Sequence, residues 1–414
     1  MVEHLLGMNG VPDKYGRWIL EKSEGNPFFV EEVVRAPQED GMLLRDETGT
    51  RWLDDADGDP ALALPDSLQA LIVSRIDRLN EETRRTLQLA VLIGRTFFYG
   101  ILRQIAGRSD SELDGDLAAL QQSEFIYQVA WDPEPEYMFR HALTQEAAYK
   151  TILRKHRRSF HRQVGEAMEK LFAARHDEYA SIIAHHFSES GDETQAFTYS
   201  NMAGHSTLRL YDLADAVAHF DSAVGAFTGL AQEALPPEGA LIGVYRSRGR
   251  AFELVLDYEA AISNYAEMER LTDGKMAPAF RLAAWLAQAT IQAKFTPVRD
   301  PERAIDVSEK AIHLTRELGD PVSEATAHWN LLLAYTFFED GQKAIEHGEK
   351  AKRIIESTQI SGEDKRRALN LLSSTMISVE YMLWAHSWKG HCKRIARPRS
   401  CSGQVATSRS FRAP

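Results

Sequence analysis

Any chemistry in this chain has to come from few residues. His185-His186 is the one adjacent histidine pair. A metal centre there needs further ligands converging from elsewhere, and no local Cys or Glu-x-x-His spacing offers them. The pair therefore reads as one ring packed on a helix face and one exposed. Arg154, Lys155, Arg157, Arg158 and Arg162 form a basic run able to touch phosphates. On a helix whose other face carries Phe160 and Val164, that run reads as a solvated side. A phosphate-cradling loop of the G-x-x-x-x-G-K-[ST] type, with its converging backbone N–H groups and lysine, does not occur. Nor do G-x-G-x-x-G, H-E-x-x-H, G-x-S-x-G or an EF-hand loop. No catalytic residue, no metal ligand and no cofactor of its own is expected.

The elements that would position such residues are mostly helical. The spacing of Tyr15, Trp18, Ile19 and Leu20 predicts a short helix, broken at Gly25-Asn26-Pro27 and resumed over 28–34. Pro27 suits a first helical turn, where its missing N–H has no partner to lose. Met42-Leu43-Leu44 and Arg51-Trp52-Leu53 read as the arms of a small hairpin in a linker or β-flap. Helices are predicted from Leu68, over 81–93, over 99–106 and from Asp110. Strands follow over 125–129 and 137–139, with Asp132-Pro133-Glu134-Pro135 as their turn. Helices followed by a β-hairpin of this size make a winged-helix module over 61–141, after which the pattern is helical. Its fourth helix, from Asp110, carries four carboxylates and no Lys or Arg, which phosphates would repel. That argues for protein packing and against nucleic acid as a partner.

From about residue 196 a repeat emerges. Ala223, Ala311 and Ala351 follow Ala216, Ala304 and Ala344 by 7 residues. Gly204 and Gly249 precede Ala216 and Ala261 by 12, and Phe252, Phe295 and Tyr335 precede Ala261, Ala304 and Ala344 by 9. These are tetratricopeptide offsets: small residues let the two helices of a hairpin approach, and the aromatic fills the gap to the next hairpin. The alanines Ala216, Ala261, Ala304 and Ala344 are 45, 43 and 40 residues apart. That exceeds the roughly 34 of the standard unit and predicts longer helices and irregular loops. Pro236-Pro237, Pro278, Pro297 and Pro301 punctuate them. The expected fold is mainly α: a winged-helix domain with a small β-hairpin, connecting helices over 142–195, and a tetratricopeptide-like α-solenoid over 196–386.

Composition sets the remaining bounds. The 414 residues, 44% apolar and 26% charged, describe folded material of two or three domains. Lys plus Arg is 48 against 60 for Asp plus Glu, a net charge of -12. No acidic residue follows Glu380, while 387–414 holds seven basic ones, so the body is left with 41 against 60, or -19. An acidic body argues against a surface built for nucleic acid or anionic membrane. The only cysteines, Cys392 and Cys401, lie in the basic tail, which fits a reducing cytoplasm, and no run of about 18 apolar residues offers a membrane span. The tail over 387–414 is expected to be disordered, either as a basic interaction segment or as out-of-frame translation past a gene lesion.

Three segments carry a likeness to a known family. They are Lys22-Ser23-Glu24-Gly25-Asn26-Pro27-Phe28-Phe29-Val30-Glu31-Glu32, Leu64-Pro65-Asp66-Ser67-Leu68-Gln69-Ala70-Leu71-Ile72, and Tyr137-Met138-Phe139-Arg140-His141-Ala142-Leu143-Thr144-Gln145-Glu146-Ala147-Ala148-Tyr149. Together they resemble bacterial signal-transduction ATPases with numerous domains, above all those with an AAA-type ATPase followed by tetratricopeptide repeats. Some of these are fused to adenylate/guanylate cyclase or DNA-binding output domains. The resemblance implies that residues 1–60 are a remnant of the ATPase's helical lid plus a linker. It implies that Pro27, with Gly25 and Asn26 shaping the turn, lies against the adenine of ATP or ADP bound with Mg in complete relatives. It implies that His141 senses the nucleotide's β-phosphate, although the Asp that follows that histidine in relatives is Ala142 here. The family's Walker loop, magnesium-binding acid and sensor residues would precede residue 1, so the chain reads as N-terminally truncated. The expected function is a non-catalytic regulatory or scaffold segment whose repeats bind a protein partner or inducer. The alternatives are an ATPase or adenylate cyclase regulator whose Walker-containing nucleotide core is a separate chain, and a DNA-binding transcriptional regulator.

Overall fold

The computed structural model describes residues 27, 30, 43–46, 49–52, 68–131, 134–231, 234–271, 278–337 and 340–359. The basic tail, the two cysteines, Gly25, Asn26 and the end of the expected repeats at 360–386 lie outside them. The chain divides into two compact units, one of residues 1–206 with 222–235 and one of residues 207–221 with 236–414. Among the described residues the protein is mainly helical, and none of its helices is long and apolar enough to cross a membrane.

The first unit begins with the expected hairpin, β1 (Leu43–Asp46) against β2 (Gly49–Trp52), antiparallel with Leu43 opposite Trp52. Helices α1 (Leu68–Arg78), α2 (Glu81–Ile93), α3 (Tyr99–Ala106) and α4 (Asp110–Gln122) follow, with β3 (Thr96–Phe98) between α2 and α3. Local chemistry sets these boundaries. The Asn80 side chain accepts from Thr83 N at 2.8 Å to cap α2. Ser109 and Glu112 form a capping box that starts α4, and the Ser109 hydrogen bonds hold the Glu112 carboxyl below its usual range. Gly107, at φ 64°, ends α3 in the left-handed conformation that glycine adopts without a Cβ clash.

Strands β4 (Ile126–Ala130) and β5 (Glu136–Phe139) form the second expected hairpin. The sheet has a third strand that the spacing does not foretell: β3 pairs antiparallel with β5, in the order β3-β5-β4. Three residues with only Phe97 buried are too short for an alternating pattern to register. Phe97 stacks on Tyr137 at 5.6 Å and lies 5.8 Å from Phe139, joining the sheet to a core that includes Leu113, Leu117, Leu120 and Ile126. Asp116 of α4 turns inward. It accepts from Thr83 and Thr86 hydroxyls of α2, both at 2.8 Å, and pairs with Arg108 at 2.7 Å. The exposed acidic face of α4 is therefore Asp110, Glu112 and Asp114. A buried carboxylate with three donors is a packing element, which satisfies its charge inside the fold.

The unit continues through α5 (Ala142–Thr151), α6 (Arg154–Leu171), α7 (His176–Ser190) and α8 (Glu193–Arg209), and α9 (Leu213–Gly229) follows. Val164, Ala167 and Met168 bury the predicted stripe of α6. The basic run is exposed at Arg154, Lys155, Arg158 and Arg162, as a solvated side requires. Arg157 differs: it donates to the carbonyls of Ile152 at 3.0 Å and Tyr149 at 3.1 Å and lies over the Tyr149 ring, closing the end of α5.

The second unit stacks helices in pairs: α10 (Glu238–Leu254) with α11 (Tyr258–Arg270), α12 (Pro278–Ala293) with α13 (Pro301–Leu318), and α14 (Pro321–Phe337) with α15 (Gly341–Ser357). Each helix packs on the next in sequence, and α12 also lies beside both α10 and α14. Proline opens α12, α13 and α14, as its fixed φ favours. The predicted small residues sit at the contacts: Ala261, Ala304, Ala311, Ala344 and Ala351 have no exposure at all. Gly249 lies so close to Tyr265 of α11 that a Cβ there would overlap the ring and hydroxyl. Of the aromatics, Phe252 packs beside Ala261 and Tyr265, and Tyr335 beside Leu332 and Ala344. Phe295 does not fill a gap. It is 85% exposed, because α12 ends at Ala293 and leaves it in the connecting turn against Arg299.

Candidate functional site: the groove of the helical pairs

The residues singled out for nucleotide contact are only partly described. Pro27 is exposed and helical, and Gly25 and Asn26 fall outside the described residues. His141 occupies the N-cap position of α5, where its backbone carbonyl accepts from Thr144 N at 3.1 Å and its side chain makes no capping bond. It is half-buried.

His185 is exposed and His186 buried, as the pair was read. Their neighbour is new: His161 of α6 sets its Nδ1 3.0 Å from Nδ1 of His186, and Tyr149 OH lies 3.3 Å from His161 Nε2. Burial first, then the neighbouring imidazoles, push His161 down to about 4 and His186 to about 3. His328 and His347 repeat the arrangement between α14 and α15, Nδ1 to Nδ1 at 2.9 Å, with His328 pushed down to about 4 chiefly by burial. Two imidazoles in such contact hold one donor and one acceptor nitrogen, a neutral hydrogen-bonded pair. Among the described residues, no group of three or more His, Cys, Asp or Glu side chains could hold a metal ion.

A concave feature lies in the second unit. A groove of about 1160 Å³ runs over one face of α10, α12 and α14. Its floor is apolar or small, with Ile242, Gly243, Leu282, Ala283 and Leu286. Helical spacing explains the lining, since 239, 243, 246, 250 and 253 share one side of α10 and 279, 283, 286, 290 and 294 one side of α12 and its end. At one end Glu253 gathers Arg250 at 3.1 Å, Lys294 at 3.6 Å and the Tyr265 hydroxyl at 3.1 Å. Burial, followed by the Glu253 charge, raises the Tyr265 phenol well above its ordinary value, so it stays a donor. Asp320 lines the groove too, with its carboxylate accepting from Ser323 N at 3.0 Å. Polar bonds between helices hold the walls: Asn264 donates to the Tyr245 carbonyl at 2.9 Å, Gln288 to Glu269 at 2.8 Å, and Thr290 to Asn330 at 3.1 Å.

No protein-family model matches the chain, and no curated protein matches it. Among solved structures it is similar to the crystal structure of the Signal Transduction ATPase with Numerous Domains (STAND) protein with a tetratricopeptide repeat sensor, PH0952, from Pyrococcus horikoshii. The identity is 12% and the TM-score 0.37, over 96% of this chain and 66% of that one. This chain thus spans less than two thirds of that structure's length, and a likeness at this level carries no function from that protein to this chain.

Proposed function

We propose that this chain is a non-catalytic regulatory and scaffolding segment of a signal-transduction ATPase, one that docks a protein partner or inducer through tetratricopeptide-like repeats. The observation that supports this reading is the groove across α10, α12 and α14, an apolar-floored concavity built by repetition of one helical face. In this reading residues 61–141 are a winged-helix module that packs against protein, and the exposed carboxylates Asp110, Glu112 and Asp114 keep nucleic acid from α4. Gly25, Asn26, Pro27 and His141 would meet ATP or ADP only in the company of a complete nucleotide-binding domain. The chain relays a signal because its groove distinguishes a bound from an unbound state.

Selection of short random peptides on the purified chain tests the reading. Gly243 is helical and lines the groove, and a Cβ there meets open space, so Gly243→Trp is expected to set its ring in the groove. Most enriched peptides are expected to lose binding to Gly243→Trp while its thermal unfolding matches the parent. A pool that binds Gly243→Trp as well as the parent would place recognition elsewhere.

A further inference from the structure

We propose that the groove across α10, α12 and α14 takes an acidic segment of a partner protein, with carboxylates set against Arg246, Arg250 and Lys294 and apolar side chains on the floor beside them. This rests on the docking reading above and adds the chemistry of what docks. Three cations line the groove against two carboxylates. One of these, Asp320, is engaged with the Ser323 amide at the start of α14, and the other, Glu253, is shared among Arg250, Lys294 and Tyr265. Arg246 is exposed one turn from Arg250, and among the described residues no carboxylate stands within ion-pair distance of it. The chain as a whole carries 60 acidic residues against 48 basic ones, so the excess of cations in the groove runs against its overall balance. Charges of opposite sign steer and register a partner more than they add raw affinity, so the groove selects by charge and holds by its apolar floor.

The size of the groove favours a chain over a compact ligand. Its volume of about 1160 Å³ exceeds the roughly 300–1,000 Å³ of small-molecule sites, and it extends over three successive repeats. Nucleic acid fits less well. Its affinity comes from neutralising many phosphates, and three cations, two of them shared with Glu253, on a protein of net charge -12 do not supply that.

The test is the composition and charge dependence of the selected peptides. Those blocked by Gly243→Trp are expected to be enriched in Asp and Glu spaced by apolar residues. In fluorescence polarisation, changing Glu to Gln in the tightest peptide weakens binding about tenfold, and so does Arg246→Glu in the protein. Arg246→Glu is expected to leave thermal unfolding close to the parent's, because the side chain is exposed and makes no ion pair among the described residues. A pool that Gly243→Trp blocks but that shows no acidic excess, or that ignores Arg246→Glu, overturns the charge inference and leaves docking intact. Binding unaffected by Gly243→Trp overturns docking itself. A single-stranded oligonucleotide that displaces the peptide at lower concentration than the peptide's own unlabelled form overturns the choice of a protein partner.

Discussion

Gly249→Ala is expected to destabilise the helical-pair unit by about 3 kcal/mol, at the upper end of the range for inserting a methyl into a packed contact. The glycine faces the ring and hydroxyl of Tyr265, which is 4% exposed and held by its hydrogen bond to Glu253 at 3.1 Å. Neither partner can yield easily. The ring is packed beside Ala261 and Ile291, and its hydroxyl belongs to the Glu253 cluster at the end of the groove. Moving Tyr265 therefore opens α10 from α11 and disturbs the groove wall together with the core. Gly243→Ala is the control on the same helix. A Cβ there meets nothing within 4 Å, and an exposed helical Gly-to-Ala change is favourable by up to about 1 kcal/mol. Urea unfolding of both variants checks the contrast. In the double variant Gly249→Ala with Tyr265→Leu, the smaller side chain should recover part of the loss, with a coupling of about 1 kcal/mol or more. Equal stability of Gly249→Ala and Gly243→Ala would mean that the helices are not in close contact there.

Acidification from pH 7 to pH 5 is expected to cost the His161–His186 pair alone on the order of 3 kcal/mol of stability. Both imidazoles are buried, and burial is the main cause that depresses them, to about 4 and about 3. His185 and Arg157 add to the effect at His161, and Glu189 opposes it. At His186 the neighbours His161 and His185 add, and the Ile93 backbone opposes. An unfolded histidine titrates near 6.5, so as the pH falls the unfolded chain binds protons before the folded one does. Stability is then fully present above about pH 6.5 and is lost as the pH falls toward the folded values. The pair between α14 and α15 acts in the same direction: burial leads, Lys350 and Arg316 add at His328, Lys350 and Lys343 add at His347, and Glu346 opposes at both. Urea midpoints at pH 7 and pH 5 read the effect, and His161→Phe with His186→Leu should flatten it. A parent chain equally stable at both pH values would contradict the neutral, hydrogen-bonded pairs.

What could be read from the sequence follows the range of the interactions. Helices 81–93 and 99–106 lie where the spacing put them, and Asn80 and Gly107 each mark one of their ends chemically, within one turn. The alanines of the repeat are legible because helices in close contact exclude larger side chains at fixed intervals. One further local signal was there to be found: an Asp stands four residues before each of Ala216, Ala261, Ala304 and Ala344. At Asp257, Asp300 and Asp340 its side chain accepts from the amide three residues on and starts the second helix of the pair. Long-range partners left no such trace. His161 and His186 are 25 residues apart, and nothing in either neighbourhood names the other. The groove draws its lining from three helices about 40 residues apart, each of which alone reads as an ordinary amphipathic face. Phe295 had the right offset but fell past the end of its helix, a boundary that spacing does not see.

Hydrogen exchange of the full chain, with and without the tightest selected peptide, tests the docking account most directly. Protection is predicted over the groove-facing stretches of α10, α12 and α14, around Arg246, Leu282 and Val322. Protection centred instead on β4 and the residue after it, where Tyr127, Val129 and Trp131 are exposed, with α10, α12 and α14 unchanged, would contradict it.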